Sequence, residues 1–396
     1  MTDELQIYLV GGALRDELLG LPVHEKDWVV TGTTPQRMLE LGYQQVGKNF
    51  PVFLHPDSKE EYALARTERK TGSGHTGFSI DANPQVTLEQ DLSRRDLTIN
   101  AIARSAAGQL VDPYGGINDL KQRVLKHVSN AFVEDPLRVL RVARFHARLA
   151  HLNFQVDPAT LEVMRTISRS GELATLPGER IWREIAKALA TPSPQVFFAT
   201  LYRCDALEQL MPELAQRWHQ VDNMRGVEPG IGARTQAALA WAARENLDGE
   251  VRWAVCCHAL GNAAQPLNIG SSQINRNAQA TQNVQQLCAR LHAPNNYARL
   301  AELAARHSQL LLNAASARPD TIVQLLDACD AWRRPQQFEQ LLQLGQCLLA
   351  TSAEPQAGAS ASVMLLRQAL HSAQAIDAAE FVANGLQGAA VGEAVT

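Results

Sequence analysis

The sequence predicts an α+β protein, with an N-terminal α/β region followed by helices. Over the first 130 residues, short runs rich in β-forming residues alternate with glycine- and proline-bearing turns and short helical patterns. After Glu134 the chain becomes rich in Leu, Ala, Arg and Gln with apolar residues at helical spacing, and it stays so to about residue 350. The expected strands are Ile7–Val10, Trp28–Thr31, Val52–Leu54, Tyr62–Ala65 and Gln109–Val111.

Length and composition indicate several domains of ordinary globular type. The 396 residues are enough for two or three cores, and 45% hydrophobic with 20% charged residues is a usual balance. No stretch is apolar and long enough to cross a bilayer, and no basic region precedes an apolar run at the N-terminus, so we expect a cytoplasmic protein. All six cysteines lie in the C-terminal half without a C-x-x-C pair, which predicts reduced thiols.

Charge is distributed unevenly along the chain. The formal net charge of −4 argues against a protein that coats nucleic acid nonspecifically. From Arg94 to Arg148, however, ten Lys and Arg residues stand against five Asp and Glu residues. Phosphate groups are therefore expected to bind at this segment.

Two glycines stand where the first strand passes into a helix. The run Gly11–Asp16 (GGALRD) follows the strand Ile7–Val10 directly. Glycines at such a turn let backbone N–H groups approach an anion, and Arg15 adds a cation there. By itself, a Gly-Gly turn with a trailing arginine is more often only a turn.

A pair of acids precedes the second strand. Glu25 and Asp27 are two residues apart, so in an extended chain their carboxylates project to one face, while Lys26 and Trp28 project to the other. Mg²⁺ prefers oxygen ligands and is commonly held by one or two carboxylates together with substrate phosphates. The pair therefore predicts a magnesium site, and a solvated acidic turn is the alternative.

Two arginine-rich segments follow. Arg94–Ala101 (RRDLTINA) is expected on a helix beginning after Ser93, where paired arginines can clamp phosphates and Asp96 can orient them. In Glu134–Phe145 (EDPLRVLRVARF), Asp135 before a proline is typical of a helix start. The alternatives are surface salt bridges for the first segment and simple helix capping for Asp135. The arginines expected on one face of this second helix are Arg141, Arg144 and Arg148.

In this order, the motifs resemble those of the class II tRNA nucleotidyltransferases, the bacterial CCA-adding enzymes, and their poly(A) polymerase relatives. The likeness is dense from Ile7 to about residue 215 and thins afterwards, although Ala331–Pro335 (AWRRP) still resembles the enterobacterial-type enzymes. It implies template-independent addition of CCA to the 3′ end of tRNA from CTP and ATP, with Mg²⁺ and without an obligate protein partner. The implied domains are a polymerase-β-like nucleotidyltransferase head over 1–133, a helical neck with the base-recognition helix over 134–222, a helical body over 223–350, and a linker and tail over 351–396.

The resemblance also assigns roles to matching positions. Glu25 and Asp27 would be the catalytic metal ligands, and Asp135 with Arg138 would read the base. The residues that would hold the incoming triphosphate are Gly12, Arg15, Arg95, Arg141 and Arg144. Further acids that could assist the metals are Asp96, Glu61 and Glu68, and the sequence does not choose among them.

A carboxylate beside a guanidinium can select the base on chemical grounds alone. Cytosine and adenine both offer an exocyclic amine donor next to a ring-nitrogen acceptor, whereas uracil and guanine present a carbonyl next to an N–H. Asp135 and Arg138 would pair with the first two bases and would leave buried polar groups unpaired with the others. Protein side chains would thus replace a template.

Two departures from the family pattern affect the expected chemistry. The metal motif is usually D-x-D, but Glu25 stands first here, and its carboxylate lies further out by about one carbon–carbon bond; we expect it still to bind the metal. The body of enterobacterial-type enzymes carries an HD phosphohydrolase domain, whose His-Asp pair is His258-Ala259 here, and Asn268–Ala280 has no histidine. Because such a hydrolase needs clustered ligands, we predict a degenerate, structural domain without phosphatase or phosphodiesterase activity.

Two other functions stay open. A poly(A) polymerase would share the head and neck, but such enzymes usually carry a longer basic C-terminal extension, whereas the C-terminal segment here is short and nearly uncharged. A catalytically impaired protein that only binds tRNA is favoured by Glu25 alone, and the retained arginines count against it.

Overall fold

The chain folds into two compact units. The computed structural model describes residues 5–23, 25–46, 52–70, 78–218, 230–261, 273–352 and 359–376. The first unit comprises Met1–Arg180 with Thr200–Leu210, and the second comprises Ile181–Ala199 with Met211–Thr396. The four-part division expected from the sequence is finer than these units and stays a prediction. In the part of the chain that is described, no helix combines the length and the apolar character needed to cross a membrane.

The first unit contains the β structure. Its strands are β1 (Gln6–Val10), β2 (Asp27–Thr31), β3 (Gln44–Val46), β4 (Val52–Leu54), β5 (Glu61–Leu64), β6 (Thr67–Lys70), β7 (Phe78–Asp81), β8 (Ala103–Ser105), β9 (Leu110–Val111), β10 (Val124–Leu125) and β11 (Gln155–Val156). A mixed sheet has the order β3-β4-β5-β2-β1-β8-β9, while β6 pairs with β7 and β10 pairs with β11. β1 is antiparallel to β2 and β8, and β2 is parallel to β5. The five expected strands are therefore confirmed to within a residue or two at their ends.

Helices occupy most of the remaining described chain. They are α1 (Gly12–Leu18), α2 (Pro35–Glu40), α3 (Leu88–Ser93), α4 (Gly116–Gln122), α5 (Leu137–Leu149), α6 (Pro158–Arg169), α7 (Gly178–Leu189), α8 (Pro194–Arg203), α9 (Ala206–Leu210), α10 (Pro212–Trp218), α11 (Ile231–Arg244), α12 (Gly249–Cys257), α13 (Gln273–Leu291), α14 (Asn295–Asn313), α15 (Pro319–Ala328), α16 (Pro335–Ala350) and α17 (Ala359–Gln374). The predicted change to helical structure after Glu134 is confirmed, except for the two-residue strand β11.

Hydrophobic residues cover both faces of the sheet, as period-two alternation in β2 requires. Val29 packs in one cluster with Leu88 and Leu92 of α3. Val30, the next residue, packs in another cluster with Met38 of α2. Asp27 has the parity of Val29, so its side chain lies on the face that α3 covers. The Asp27 side chain, at the start of β2, is thus directed towards the segment that follows α3.

The segment Arg94–Ala101 is not the helix that the sequence predicted. α3 ends at Ser93, Leu97 is extended and bridges to His127, and a single 3₁₀ turn follows. The reason is local competition: the Asp96 carboxylate accepts from the backbone N–H of Leu97 at 2.9 Å, a contact that suits a turn better than a helix interior. The motif is therefore a turn held by its own side chains.

Part of the predicted linker and tail over 351–396 is helical instead. Residues 359–362 belong to α17, and Ser362 is buried there. Its hydroxyl donates to the Leu312 carbonyl at 3.2 Å and accepts from the Ala315 N–H at 3.0 Å. Small residues that resembled a flexible linker instead permit close helix packing.

All six cysteines are buried free thiols, and their reduced state stays a prediction.

Candidate active site

The turn after β1 is the point where three sequence motifs meet. Gly11 has a φ of +71°, in the left-handed region that favours glycine. A Cβ atom on Gly11 would lie 3.0 Å from Nη1 of Arg95 and 3.7 Å from Oδ2 of Asp27. Glycine is therefore required here both for the backbone conformation and for the room that a guanidinium and a carboxylate occupy beside the turn.

Asp27 and Glu25 are neighbours at the start of β2. Asp27 is the first residue of the strand and lies opposite Val10 of β1, whereas Glu25 precedes the strand. Both side chains are exposed, yet desolvation by the surrounding protein raises the pKa of Asp27, the Glu25 charge raises it further, and the Arg95 charge lowers it. The pair concentrates negative charge at an accessible point, which a bound cation would relieve.

The donor set at this edge fits a hard divalent cation. Carboxylate oxygens are the ligands that Mg²⁺ prefers, and it usually takes only one or two from protein and the rest from water and phosphate. Glu61, the first residue of β5, is in register with Asp27 on the adjacent parallel strand. Within the described ranges, no group of three or more His, Cys, Asp and Glu residues could hold a metal ion without further ligands. A cation bound by Glu25 and Asp27 alone would need further oxygen ligands from water or phosphate.

Arg94 and Arg95 share a buried carboxylate that the sequence analysis missed. Asp91 is fully buried, and its Oδ1 accepts from Nη2 of Arg94 at 2.7 Å while its Oδ2 accepts from Nη2 of Arg95 at 3.2 Å. Burial alone would raise the pKa of Asp91, but the two guanidinium groups outweigh it and lower that pKa. The signal was present in the spacings of three and four residues, which place these groups on one side of a helix end.

Asp96 connects the RRDLTINA motif to α5. Its Oδ2 accepts from Nε of Arg141 at 2.8 Å and from Nη2 at 2.7 Å, and its Oδ1 accepts from Nδ2 of Asn100 at 2.9 Å. Burial opposes ionisation, but the Arg141 charge and these hydrogen bonds hold the pKa of Asp96 well below its usual range. Asn100 in turn accepts from Nη1 of Arg15 at 2.6 Å. One polar network therefore joins α1, the motif and α5.

Arg15 lies inside the protein, only 1% exposed. Its Nε and Nη2 donate to Asp16 at 2.9 and 2.7 Å, and Nη2 lies 3.5 Å from the point where Gly12 would carry a Cβ. Desolvation lowers the pKa of Arg15, and Asp16 opposes this effect. The guanidinium thus underlies the Gly11–Gly12 turn, and its charge can act on the turn without a surface contact.

The outer face of α5 carries the predicted row of arginines. Leu140, Ala143 and Ala147 are fully buried on the opposite face, which confirms the expected division. Two of them pack on Phe145, whose ring centroid lies 4.4 Å from Cζ of Arg144 and 5.8 Å from Cζ of Arg141, and Arg15 of α1 lies over the same ring at 5.0 Å. Arg148 donates to Oδ2 of Asp16 at 2.7 Å. The sequence predicted the row but not its aromatic support.

Asp135 and Arg138 lie one turn apart at the start of α5. Asp135 accepts from the backbone N–H of Leu137 at 3.1 Å and from Arg180 at 3.5 Å, whereas the N-cap position of α5 is occupied by Pro136. Arg138 donates to the carbonyl oxygens of Ala131 at 2.7 Å and Arg94 at 2.5 Å. Backbone carbonyls thus orient the guanidinium, and neither they nor Arg180 were predicted from the sequence.

The turn Asp112–Gly116 (DPYGG) supports this region structurally. The Asp112 carboxylate accepts from the N–H groups of Gly116 at 2.7 Å and Ile117 at 2.8 Å. A Cβ on Gly116 would lie 2.2 Å from the carbonyl oxygen of Thr98, so a larger residue would displace the RRDLTINA turn.

In the second unit, His258 is buried, and its Nδ1 donates to the Val255 carbonyl at 2.6 Å. Desolvation lowers the pKa of His258. Residues 268–272 of the segment Asn268–Ala280 lie outside the described residues, and the predicted lack of hydrolase activity stays a prediction.

Comparison with known proteins identifies the domains. Residues 7–126 match the family described as Poly A polymerase head domain, and residues 153–217 match the family described as Probable RNA and SrmB-binding site of polymerase A. The head match contains the Gly11 turn, the acid pair, Asp91 and the RRDLTINA motif. The α5 residues lie between the two matches.

Solved structures share the fold across nearly the whole chain. The apo form II of a CCA-adding enzyme has a TM-score of 0.68 at 20% identity, over 99% of this chain and 87% of the other. A CCA-adding enzyme in complex with CTP has a TM-score of 0.67 at 19% identity, over 100% and 85%. The Thermotoga maritima CCA-adding enzyme complexed with tRNA has a TM-score of 0.64 at 20% identity, over 100% and 86%. Residues 7–126 and 153–217 are therefore similar to these two polymerase families, and the chain has the fold of the CCA-adding enzymes.

Proposed function

We propose that this protein adds CCA to the 3′ end of tRNA from CTP and ATP in the cytoplasm. The observation that carries the proposal is the meeting of Asp27 and Arg95 at the Gly11 turn, where an acid for a metal and a cation for phosphate lie side by side. Similar folds in proteins described as CCA-adding enzymes with CTP and with tRNA support the choice of substrates.

Nucleotidyl transfer requires divalent metal, and the acid pair supplies ligands of the right kind. Glu25 and Asp27 would hold Mg²⁺, and Glu61 lies in register on the next strand. Bound there, divalent ions would activate the attacking 3′-hydroxyl and hold the triphosphate. Glu25 precedes β2 and is not fixed by strand pairing, which supports the proposal that its longer side chain would still reach the metal.

The arginines would bind the triphosphate in two ways. Arg95 lies beside the turn, and Arg141 and Arg144 lie on the outer face of α5, so these three would contact phosphate oxygens. Arg15 would act from beneath Gly12, where its buried charge adds to the positive potential of the turn. Guanidinium groups anchored in advance would lose little freedom when phosphate binds.

Asp135 and Arg138 would select the base. They lie three residues apart at the start of α5, and existing hydrogen bonds fix both groups. A fixed carboxylate and guanidinium would pair with cytosine or adenine and would leave polar groups unpaired against uracil or guanine.

The deciding experiment supplies tRNA without its CCA end and sequences the products. We expect CTP alone to add two residues, ATP alone to add none, and both together to add CCA. Long ATP-dependent tails on unrelated RNA would instead support a poly(A) polymerase, which the descriptions of both matching families favour as the second candidate. Tight tRNA binding without incorporation would indicate the impaired tRNA-binding protein.

Substitutions then test the metal ligands. Glu25→Gln and Asp27→Asn should each lower kcat by about hundredfold or more, because each removes a charged ligand. Glu25→Asp should retain activity. Asp57→Asn is the control, since Asp57 is an exposed acid of the same head, outside the candidate site. An inactive parent that gains activity with Glu25→Asp would show that the natural residue impairs the site.

The second unit offers a separate test. We propose that it lacks phosphatase and 2′,3′-cyclic phosphodiesterase activity. Activity that His258→Ala abolishes would contradict this.

A further inference from the structure

Asp91 lies at the centre of the contacts that place the RRDLTINA arginines. Its Oδ1 accepts from Nη2 and Nε of Arg94 at 2.7 and 3.1 Å and from the backbone N–H of Arg66 at 3.3 Å. Its Oδ2 accepts from Nη2 of Arg95 at 3.2 Å. A carboxylate with no exposed surface is thus divided between two guanidinium groups, one on each oxygen.

Arg95 has few other anchors. Its Nη1 donates to the Asn100 carbonyl oxygen at 3.3 Å, and its Nε is buried without a hydrogen-bond partner among the described residues. The same Nη1 lies 3.0 Å from the position of a Cβ on Gly11, and Oδ2 of Asp27 lies 3.7 Å from that position. The Arg95 charge lowers the pKa of Asp27, but among the described residues the ion pair found for Arg95 is the one with Asp91.

Two carboxylates therefore compete for one guanidinium. If Arg95 closed onto Asp27, it would neutralise a metal ligand and would lose the orientation needed for phosphate. The hydrogen bond from Nη2 of Arg95 to Asp91, on the buried side, opposes this movement of Arg95 towards Asp27. A buried ion pair contributes little net stability compared with apolar packing. The advantage of a carboxylate at this position is therefore the orientation that it gives to the guanidinium.

We propose that Asp91 is a positioning residue that holds Arg95 away from Asp27, so that Arg95 is available to the nucleotide triphosphate and Asp27 to the metal. The inference rests on the proposed nucleotidyl transfer and adds a residue to it. Asp91 itself touches neither substrate nor metal, because it is fully buried.

The first measurement is the Kd of CTP without tRNA and without divalent metal, by isothermal titration calorimetry. Asp91→Asn, which is close to isosteric, should weaken binding by about tenfold, the effect of one impaired charge-assisted contact. In an Arg95→Gln background the same substitution should change the Kd by less than about twofold, because the residue through which Asp91 acts is gone. Equal effects in both backgrounds would overturn the proposal.

The second measurement is the Mg²⁺ concentration for half-maximal incorporation. Asp91→Asn should raise it several-fold, since Arg95 would then compete with the cation at Asp27. The added Arg95→Gln substitution should return it towards the parent value. A purely structural role for Asp91 would reduce the active fraction and leave this midpoint and the Kd unchanged.

Controls separate folding from function. Glu89→Gln removes an exposed acid from the same helix and should change neither measurement. Asp91→Ser is the second variant, and it should behave as Asp91→Asn does. If neither variant folds by circular dichroism, Asp91 serves the stability of the head alone and the proposal fails. A parent that binds CTP but adds no nucleotide would refute the proposed function, while the metal-free affinities would still test Asp91.

Discussion

Asp96→Asn is the substitution that best tests the polar network. Asp96 is 6% exposed, and it receives two hydrogen bonds from Arg141, one from Asn100 and one from a backbone N–H. Asparagine can keep the last two through its oxygen, but its NH2 group would then face the guanidinium as a second donor. Charge-assisted hydrogen bonds contribute about 1.5 to 3 kcal/mol each. The Arg141 side chain is 38% exposed, so water can solvate it once the contact is lost. We therefore expect Asp96→Asn to lower the free energy of unfolding by about 3 kcal/mol in total.

Asp119→Asn is the matched control for this prediction. Asp119 is also buried, but its carboxylate accepts a hydrogen bond from the neutral hydroxyl of Thr98 at 2.6 Å. Asp119→Asn should therefore lower the free energy of unfolding by only about 1 kcal/mol. Hydrogen-exchange mass spectrometry of α5 peptides reports on the first unit alone. Amides that exchange through cooperative opening should exchange about 150-fold faster in Asp96→Asn and about fivefold faster in the control. Equal acceleration in both variants would show that the Asp96–Arg141 contacts carry no special energy.

Three further predictions concern packing, protonation and aromatic support. Gly116→Ala should lower the unfolding free energy in urea by about 2 kcal/mol or more, because its Cβ meets the Thr98 carbonyl, whereas Gly108→Ala, strained only by its φ of +83°, should lose about 1 kcal/mol; equal losses would contradict the clash. Burial lowers the pKa of His146 to about 4, so the unfolded chain binds the proton first and stability falls as the pH drops from about 6.5 towards 4. His146→Gln should reduce that slope by up to about 1.4 kcal/mol per pH unit in urea titrations followed by circular dichroism, and an unchanged slope would refute the assignment. Phe145→Leu should raise the KM for CTP several-fold with a smaller change in kcat, because it removes the ring that supports the site arginines; a change in kcat alone would contradict this.

The features predicted correctly from the sequence are those set by local periodicity and turn chemistry. The expected strands followed from short β-rich runs, and the Gly11 turn followed from its place between a strand and a helix. The arginine row on α5 followed from spacings of three and four residues. These patterns depend on near neighbours in the chain, so sequence reasoning can reach them.

What the sequence could not supply are partners that are distant along the chain. Asn100 meets Arg15 across 85 positions, and Arg180 meets Asp135 across 45. The helix expected after Ser93 was wrong for a related reason. The Asp96 side chain bonds the backbone of the next residue, and this supplies an alternative to a helix that the bridge between Leu97 and His127 stabilises.

Three buried carboxylates of the first unit each act on more than one arginine. Asp16 pairs with Arg15 and Arg148, Asp91 pairs with Arg94 and Arg95, and Asp96 pairs with Arg141 while the charge of Arg138 also acts on it. Guanidinium groups without these acids would repel one another and destabilise the folded head. Acids in equal number would cancel the positive potential that attracts a triphosphate. Three carboxylates among six arginines avoid both outcomes, because each acid anchors its partners from the buried side and leaves net positive charge for an anionic ligand.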